Sequence, residues 1–142
     1  MITNIDVNRI EATRDMKEMI SNMKFNINFD TVKVDKENVD VGFTFVTAYE
    51  GQGNSKNVGK LTISGTISAK ESKKDAEDID STWKSKKTLP LKFAEDVINM
   101  LNFECGARGT LVAYSIGFVA PLPLSRAKLS EAPAGSAGSG AG

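Results

Sequence analysis

The sequence has no histidine and a single cysteine, Cys105, among its 142 residues. Without histidine there can be no Ser-His or Cys-His nucleophile pair and no imidazole metal ligand. A lone cysteine cannot close an intramolecular disulfide, so a stapled secreted scaffold is not expected. An excess of charge is missing too: 18 basic residues balance 18 acidic ones. A nucleic-acid binder normally carries a basic excess or stripe, and attraction to an anionic membrane needs one as well. A secretory leader is not visible in "MITNIDVNRIEATRD", where Asp6, Arg9, Glu11 and Arg14 interrupt any apolar stretch. The longest apolar-leaning run, from Thr110 to Leu124, is broken by Gly117, Pro121 and Pro123 and is too short to span a bilayer. These absences lead us to expect a cytoplasmic protein with no nucleic-acid partner and no stable membrane insertion.

What remains is the composition of a soluble globular protein, 40% hydrophobic and 25% charged. The length suits one domain with one core. "APAGSAGSGAG" (Ala132–Gly142) has no side chain that can bury useful area. We therefore expect a single domain over residues 1–130 and a disordered Gly/Ala/Ser-rich tail over 131–142, whether natural or an appended linker.

Alternation dominates the first half. Ile5, Val7 and Ile10 mark a short extended segment, whereas Met16, Met19, Ile20 and Met23 are spaced as on a short helix or turn. Phe25, Ile27 and Phe29 alternate with Asn26 and Asn28, then Val32 and Val34 take up the opposite phase. A bulge near Asp30 repairs that slip. Val39, Val41, Phe43 and Phe45 form one face of the next strand. Leu61, Ile63, Gly65, Ile67 and Ala69 form one face of its partner, and "EGQGNSKNVG" reads as the hairpin loop between them. Strands are expected over 24–34, 39–50 and 58–69. The mixed-charge run "KESKKDAEDIDSTWKSKK" (Lys70–Lys87) reads as a solvated connection in which Trp83 stands out.

The main helix is expected over 90–105. Thr88 can cap it, Pro90 suits its first turn and Gly106 can stop it. Lys92, Glu95, Asp96, Asn99 and Asn102 make a polar stripe. The apolar arc opposite is wider than one sheet covers. Phe93, Val97, Met100 and Phe103 on that arc are the expected interface of a homo-oligomer, a dimer or tetramer. From Thr110 to Val119 the pattern returns to β character. The fold class is thus α+β, an antiparallel sheet of four or more strands with one main helix on a face.

No reactive constellation emerges. "GNSKNVGKL" has one residue too many for a phosphate loop, lacks Ser/Thr after Lys60 and leads into a strand. "DAEDIDSTW" lacks the bend glycine of a calcium loop, and Lys86 stands where the bidentate acid belongs. Glu77/Asp78 and Glu95/Asp96 are sequence neighbours that point apart on a helix. Cys105 lies far from any helix N-terminus that would make it a thiolate. No enzyme, metal or cofactor is expected.

The order of parts and several motifs resemble the SecB protein-export chaperones. "VDVGFTFVTAYEG" is similar to that family's strand with its "VT-A-G" turn, and "LTISGTISA" to the strand that follows. "LPLKFAEDVINML" resembles the Pro-started helix, and "FVAPLPL" the extended segment after it. The likeness covers about residues 3–125. It implies ATP-independent holding of unfolded polypeptide clients on the apolar surface of a homotetramer. Trp83, Tyr114, Phe118, Leu122 and Leu124 are the residues expected to bind clients. The family's second long helix and acidic tail, which dock the ATPase SecA, have no counterpart in "SRAKLSEAP" and the Gly/Ala/Ser end. That departure weighs against coupling to SecA. A structural or assembly subunit of a larger particle is the alternative reading.

Overall fold

β-Branched and aromatic residues at alternate positions favour long pleated strands, and four of them build the sheet: β1 (Ile2–Arg14), β2 (Ile20–Asp35), β3 (Asn38–Gly51) and β4 (Asn57–Lys70). They are followed by two helices, α1 (Lys73–Lys86) and α2 (Leu91–Ser115). The computed structural model describes residues 1–15, 19–51 and 57–118. The sheet is antiparallel throughout, in the order β1-β4-β3-β2. The chain therefore passes from one edge strand to the other before it fills the centre. β2 and β3 meet in a two-residue turn, with Asp35 opposite Asn38 and Lys36 at a positive φ of 57°.

One face of the sheet is apolar. Ile27, Phe45, Ile63 and Ile10 stand side by side across all four strands, and Val32, Val41, Ile67 and Ile5 form a second row. The expected phase slip in β2 is present: the register shifts between Phe29 and Thr31, which places Val32 and Val34 on the same face as Phe29. A second shift between Val7 and Arg9 does the same for β1. Both helices cover this face, α1 over β2 and α2 over β4 and β1. The fold is α+β, as the alternation requires.

Four local expectations are corrected. The first extended segment is a 13-residue edge strand, not a short one. The Met16–Met23 stretch is not helical where it is described, because β2 begins at Ile20; residues 16–18 lie outside the described residues. The Lys70–Lys87 connection is a helix. Ser72 caps α1 by accepting from the Asp75 N–H at 3.1 Å, Lys87 closes it in the left-handed conformation, and Ala76 and Ile79 are buried beneath it. The sheet thus carries two helices where one main helix was expected. Lastly, α2 does not stop at Gly106 and no strand begins at Thr110, since the helix continues to Ser115. Gly106, Gly109 and Ala113 lie on its buried face. Of the side chains that suggested a strand, Leu111 and Tyr114 are outer positions, whereas Val112 and Ile116 pack partly against the core.

Candidate interaction surface

The two faces of the sheet differ in chemistry. On the uncovered face Arg9, Glu11, Thr13, Thr44, Lys60, Thr62 and Ser64 line an open depression of about 320 Å³. Its charges are partly spent internally, with Arg9 Nη2 2.6 Å from Glu11 Oε2. Among the described residues no group of three or more His, Cys, Asp or Glu could hold a metal ion. No helix among them is long and apolar enough to cross a membrane. Burial holds the Cys105 thiol in its neutral form, pushing its pKa up to about 12, with Glu104 adding to the rise and Arg108 opposing it. Such a thiol is neither nucleophile nor ligand at neutral pH.

The outer side of α2 is the unusual surface. Phe103, Leu111 and Tyr114 are 71%, 79% and 67% exposed, on a helix whose inner side is closed by Leu101, Cys105 and Ala113. With about 100° of rotation per residue, Met100, Phe103, Ala107, Leu111 and Tyr114 fall in one stripe. Large apolar side chains aligned this way make a patch that soluble monomers rarely leave uncovered. The polar stripe expected opposite the core is real only in part. Lys92 and Asp96 are exposed and paired at 3.2 Å, but Asn102 is buried, and among the described residues neither its Oδ1 nor its Nδ2 has a hydrogen-bond partner.

The candidate residues are not gathered into one site. Phe93 and Val97 are 8% and 0% exposed and belong to the core of the single chain, so they are closed to a partner. Met100 is partly buried and Phe103 is open. Trp83 is half-buried on α1, with the Lys87 ammonium 5.5 Å from its ring. Tyr114 is open on the α2 stripe. Phe118 is buried, stacked on Tyr49 at 4.1 Å between ring centroids, so a client cannot reach it while that contact holds. Leu122 and Leu124 lie outside the described residues.

That stacked pair belongs to a structure sequence reasoning missed. α2 ends in a Schellman motif, in which Phe118 N–H donates to Ala113 O at 2.7 Å and Gly117 N–H to Tyr114 O at 3.2 Å. Gly117 takes the left-handed conformation, φ 77°. Arg14, at the end of β1, donates through Nη1 to the carbonyls of Ile116 and Gly117 at 3.2 and 2.9 Å, and its guanidinium lies 5.2 Å from the Phe118 ring centre. The signal was Gly117 itself, a glycine before an aromatic residue, eclipsed by the earlier Gly106. Leu111 was likewise missed, because its segment was read as a strand.

No protein-family model matches the sequence, and comparison with curated proteins finds no match. Among solved structures the fold is similar to the Mycobacterium tuberculosis Rv1957 SecB-like chaperone, solved in complex with a ChAD peptide from the Rv1956 HigA1 antitoxin. The two share 11% sequence identity with a TM-score of 0.51, and the similarity covers 94% of this chain and 91% of that one. At that identity the likeness is one of fold: a four-stranded antiparallel sheet carrying two helices in the SecB-like arrangement.

Proposed function

We propose that this protein is a non-enzymatic, ATP-independent holdase chaperone. It binds unfolded polypeptides through exposed apolar surface, in the cytoplasm, as a homo-oligomer, and serves preprotein export or related targeting. The observation that carries the reading is the row of large apolar side chains left open on α2, Phe103, Leu111 and Tyr114. The SecB-like fold supports it, and so does a peptide complex in a protein of that fold.

The energetics are compatible. Micromolar binding requires about 8 kcal/mol. At about 25 cal/mol per Å² that corresponds to roughly 330 Å² of apolar burial before ordering costs. Two or three aromatic-sized contacts, at about 150–250 Å² each, reach it. Holding needs no reactive group, only a surface that favours the unfolded state of another chain.

Reduced insulin, whose chains aggregate once its disulfides are opened, provides the test. Equimolar protein should suppress the light scattering. Trp83→Ala and the double variant Leu122→Ser/Leu124→Ser should each weaken suppression several-fold, measured below each variant's own unfolding midpoint because Trp83 also packs in part against the core. If the wild type leaves aggregation unchanged, the holdase reading fails and the structural-subunit alternative takes its place.

A further inference from the structure

The uncovered face of the sheet holds a depression that lies away from the α2 row. Its volume is about 320 Å³, at the small end of the range for small-molecule pockets. Three cross-strand rows build it: Thr13 opposite Lys60, Glu11 opposite Thr62, and Arg9 opposite Ser64 with Thr44 beyond. Opposed side chains in such rows stand about 5 Å apart, and successive rows about 7 Å. Thr44, Thr62 and Ser64 are its half-buried floor, and Arg9, Glu11, Thr13 and Lys60 its exposed rim.

One side of the rim depends on an irregularity in β1. Its register shifts between Val7 and Arg9, so that Arg9 lies opposite Ser64 and Ile10 opposite Ile63. Without that bulge Arg9, Glu11 and Thr13 would point toward the core, and Ile10 and Ala12 away from it. Gly65 permits the bulge, because a Cβ there would collide with the Asp6 carbonyl oxygen. Glycine inside a central strand weakens it and marks a close approach of another backbone.

The lining selects the occupant. None of the seven residues is aliphatic or aromatic, so an apolar ligand finds little to pack on. Two cations face one carboxylate, and Arg9 already engages that carboxylate at 2.6 Å, which disfavours a cation. Among the described residues the Lys60 ammonium and the hydroxyls of Thr13, Thr62 and Ser64 have no hydrogen-bond or ion-pair partner. A hydroxyl both donates and accepts, which matches the hydroxyls of a polyol, whereas an ammonium matches an anionic oxygen. Glu11 repels a bare anion from the middle row but accepts a hydrogen bond from a polyol hydroxyl.

We infer that this depression binds a small polyhydroxylated anion, a sugar phosphate. The phosphate lies at Lys60 and Thr13, and the sugar hydroxyls lie over Thr62, Ser64 and Glu11. The site is on the opposite side of the sheet from the helices and is independent of client holding.

Titration of the isotope-labelled full-length protein, followed by its backbone amide NMR spectrum at low ionic strength, tests the site. The probes are glucose 6-phosphate and ribose 5-phosphate, compared with glucose and inorganic phosphate. At least one sugar phosphate should saturate, with shifts concentrated at residues 9–13 and 60–64, and bind about tenfold more tightly than either fragment alone. Lys60→Ala should weaken that binding about tenfold, the loss expected where a charged hydrogen bond is removed. Thr62→Val/Ser64→Ala keeps the charge and the strand, and should weaken sugar phosphate several-fold but inorganic phosphate little. Lys92→Ala, on α2, should change neither. The same spectra report that each variant is folded. Inorganic phosphate binding as tightly as the sugar phosphates, or Lys60→Ala and Lys92→Ala acting alike, would mean an adventitious ion only and overturns the inference. Saturation by neither sugar phosphate overturns it as well. Insulin aggregation scores the holdase reading separately, so the two can fail independently.

Discussion

Cys105 and Tyr49 carry the residue-scale consequence of a core without compensating charge. Both are fully buried. Burial pushes the thiol from 9.0 to about 12 and the phenol from 10.0 to about 12. In the unfolded chain each group gives up its proton near its ordinary value, while in the folded chain it keeps it until about pH 12. Between those values the unfolded state binds fewer protons, so stability falls as pH rises and is fully present only below the lower one. Urea denaturation at successive pH values should show stability flat to about pH 9 and declining toward pH 12. In Cys105→Ala only the tyrosine remains, and the decline should begin about one unit higher, near 10.0. An unchanged onset would show that the thiol is not sheltered as described.

At the scale of elements, what was legible and what was not follow from how each signal is carried. β2, β3 and β4 could be read because a half-buried strand repeats every two residues, and even the slip at Asp30 shows as a change of phase. α1 was hidden by its charge. Only Ala76, Ile79 and Trp83 mark its inner side, and the Ser72-to-Asp75 capping signal lies within a run of lysines and acids. α2 outruns its sequence signal because glycine ordinarily marks a helix stop. Gly106 and Gly109 are inside the helix, and the true stop, Gly117, comes about three turns later. The apolar arc of α2 is displaced for the same reason. Phe93 and Val97 face inward, Phe103 is open as expected for that arc, and the other open residues, Leu111 and Tyr114, lie in the stretch whose pattern suggests a strand.

The junction of β1, β4 and α2 is where these elements lock. A Cβ on Gly59 would meet both the Thr13 carbonyl of β1 and the Phe118 ring. The carbonyl is the nearer of the two and belongs to a paired strand, so the β1–β4 pairing must shift as well as the ring. Gly59→Ala should cost about 1–3 kcal/mol, the usual range for overpacking. Arg14→Ala removes two carbonyl contacts and the guanidinium over the same ring, at a half-exposed position, for about 1 kcal/mol. Because both act through Phe118, the double variant should lose less than the sum. Thermal or urea denaturation of the four proteins measures this, and strict additivity would mean the arginine and the glycine do not share the ring.

On the scale of the whole molecule, the folded unit and the chain's end should separate cleanly. The helices already close the apolar face of the sheet. The last eleven residues, Ala132–Gly142, are Gly, Ala, Ser and one Pro. Such a segment offers almost no apolar area and has a large conformational entropy to lose on docking, so it has little reason to bind the domain. Where no buried contact is lost, a change stays within about 0.5 kcal/mol. Deleting residues 132–142 should therefore leave the urea midpoint, the sedimentation behaviour and the suppression of insulin aggregation as they are in the full chain. The deletion keeps Leu122 and Leu124, so a fall in suppression at unchanged stability would place client binding in the tail itself. A fall in stability beyond that range would mean that the tail packs on the domain.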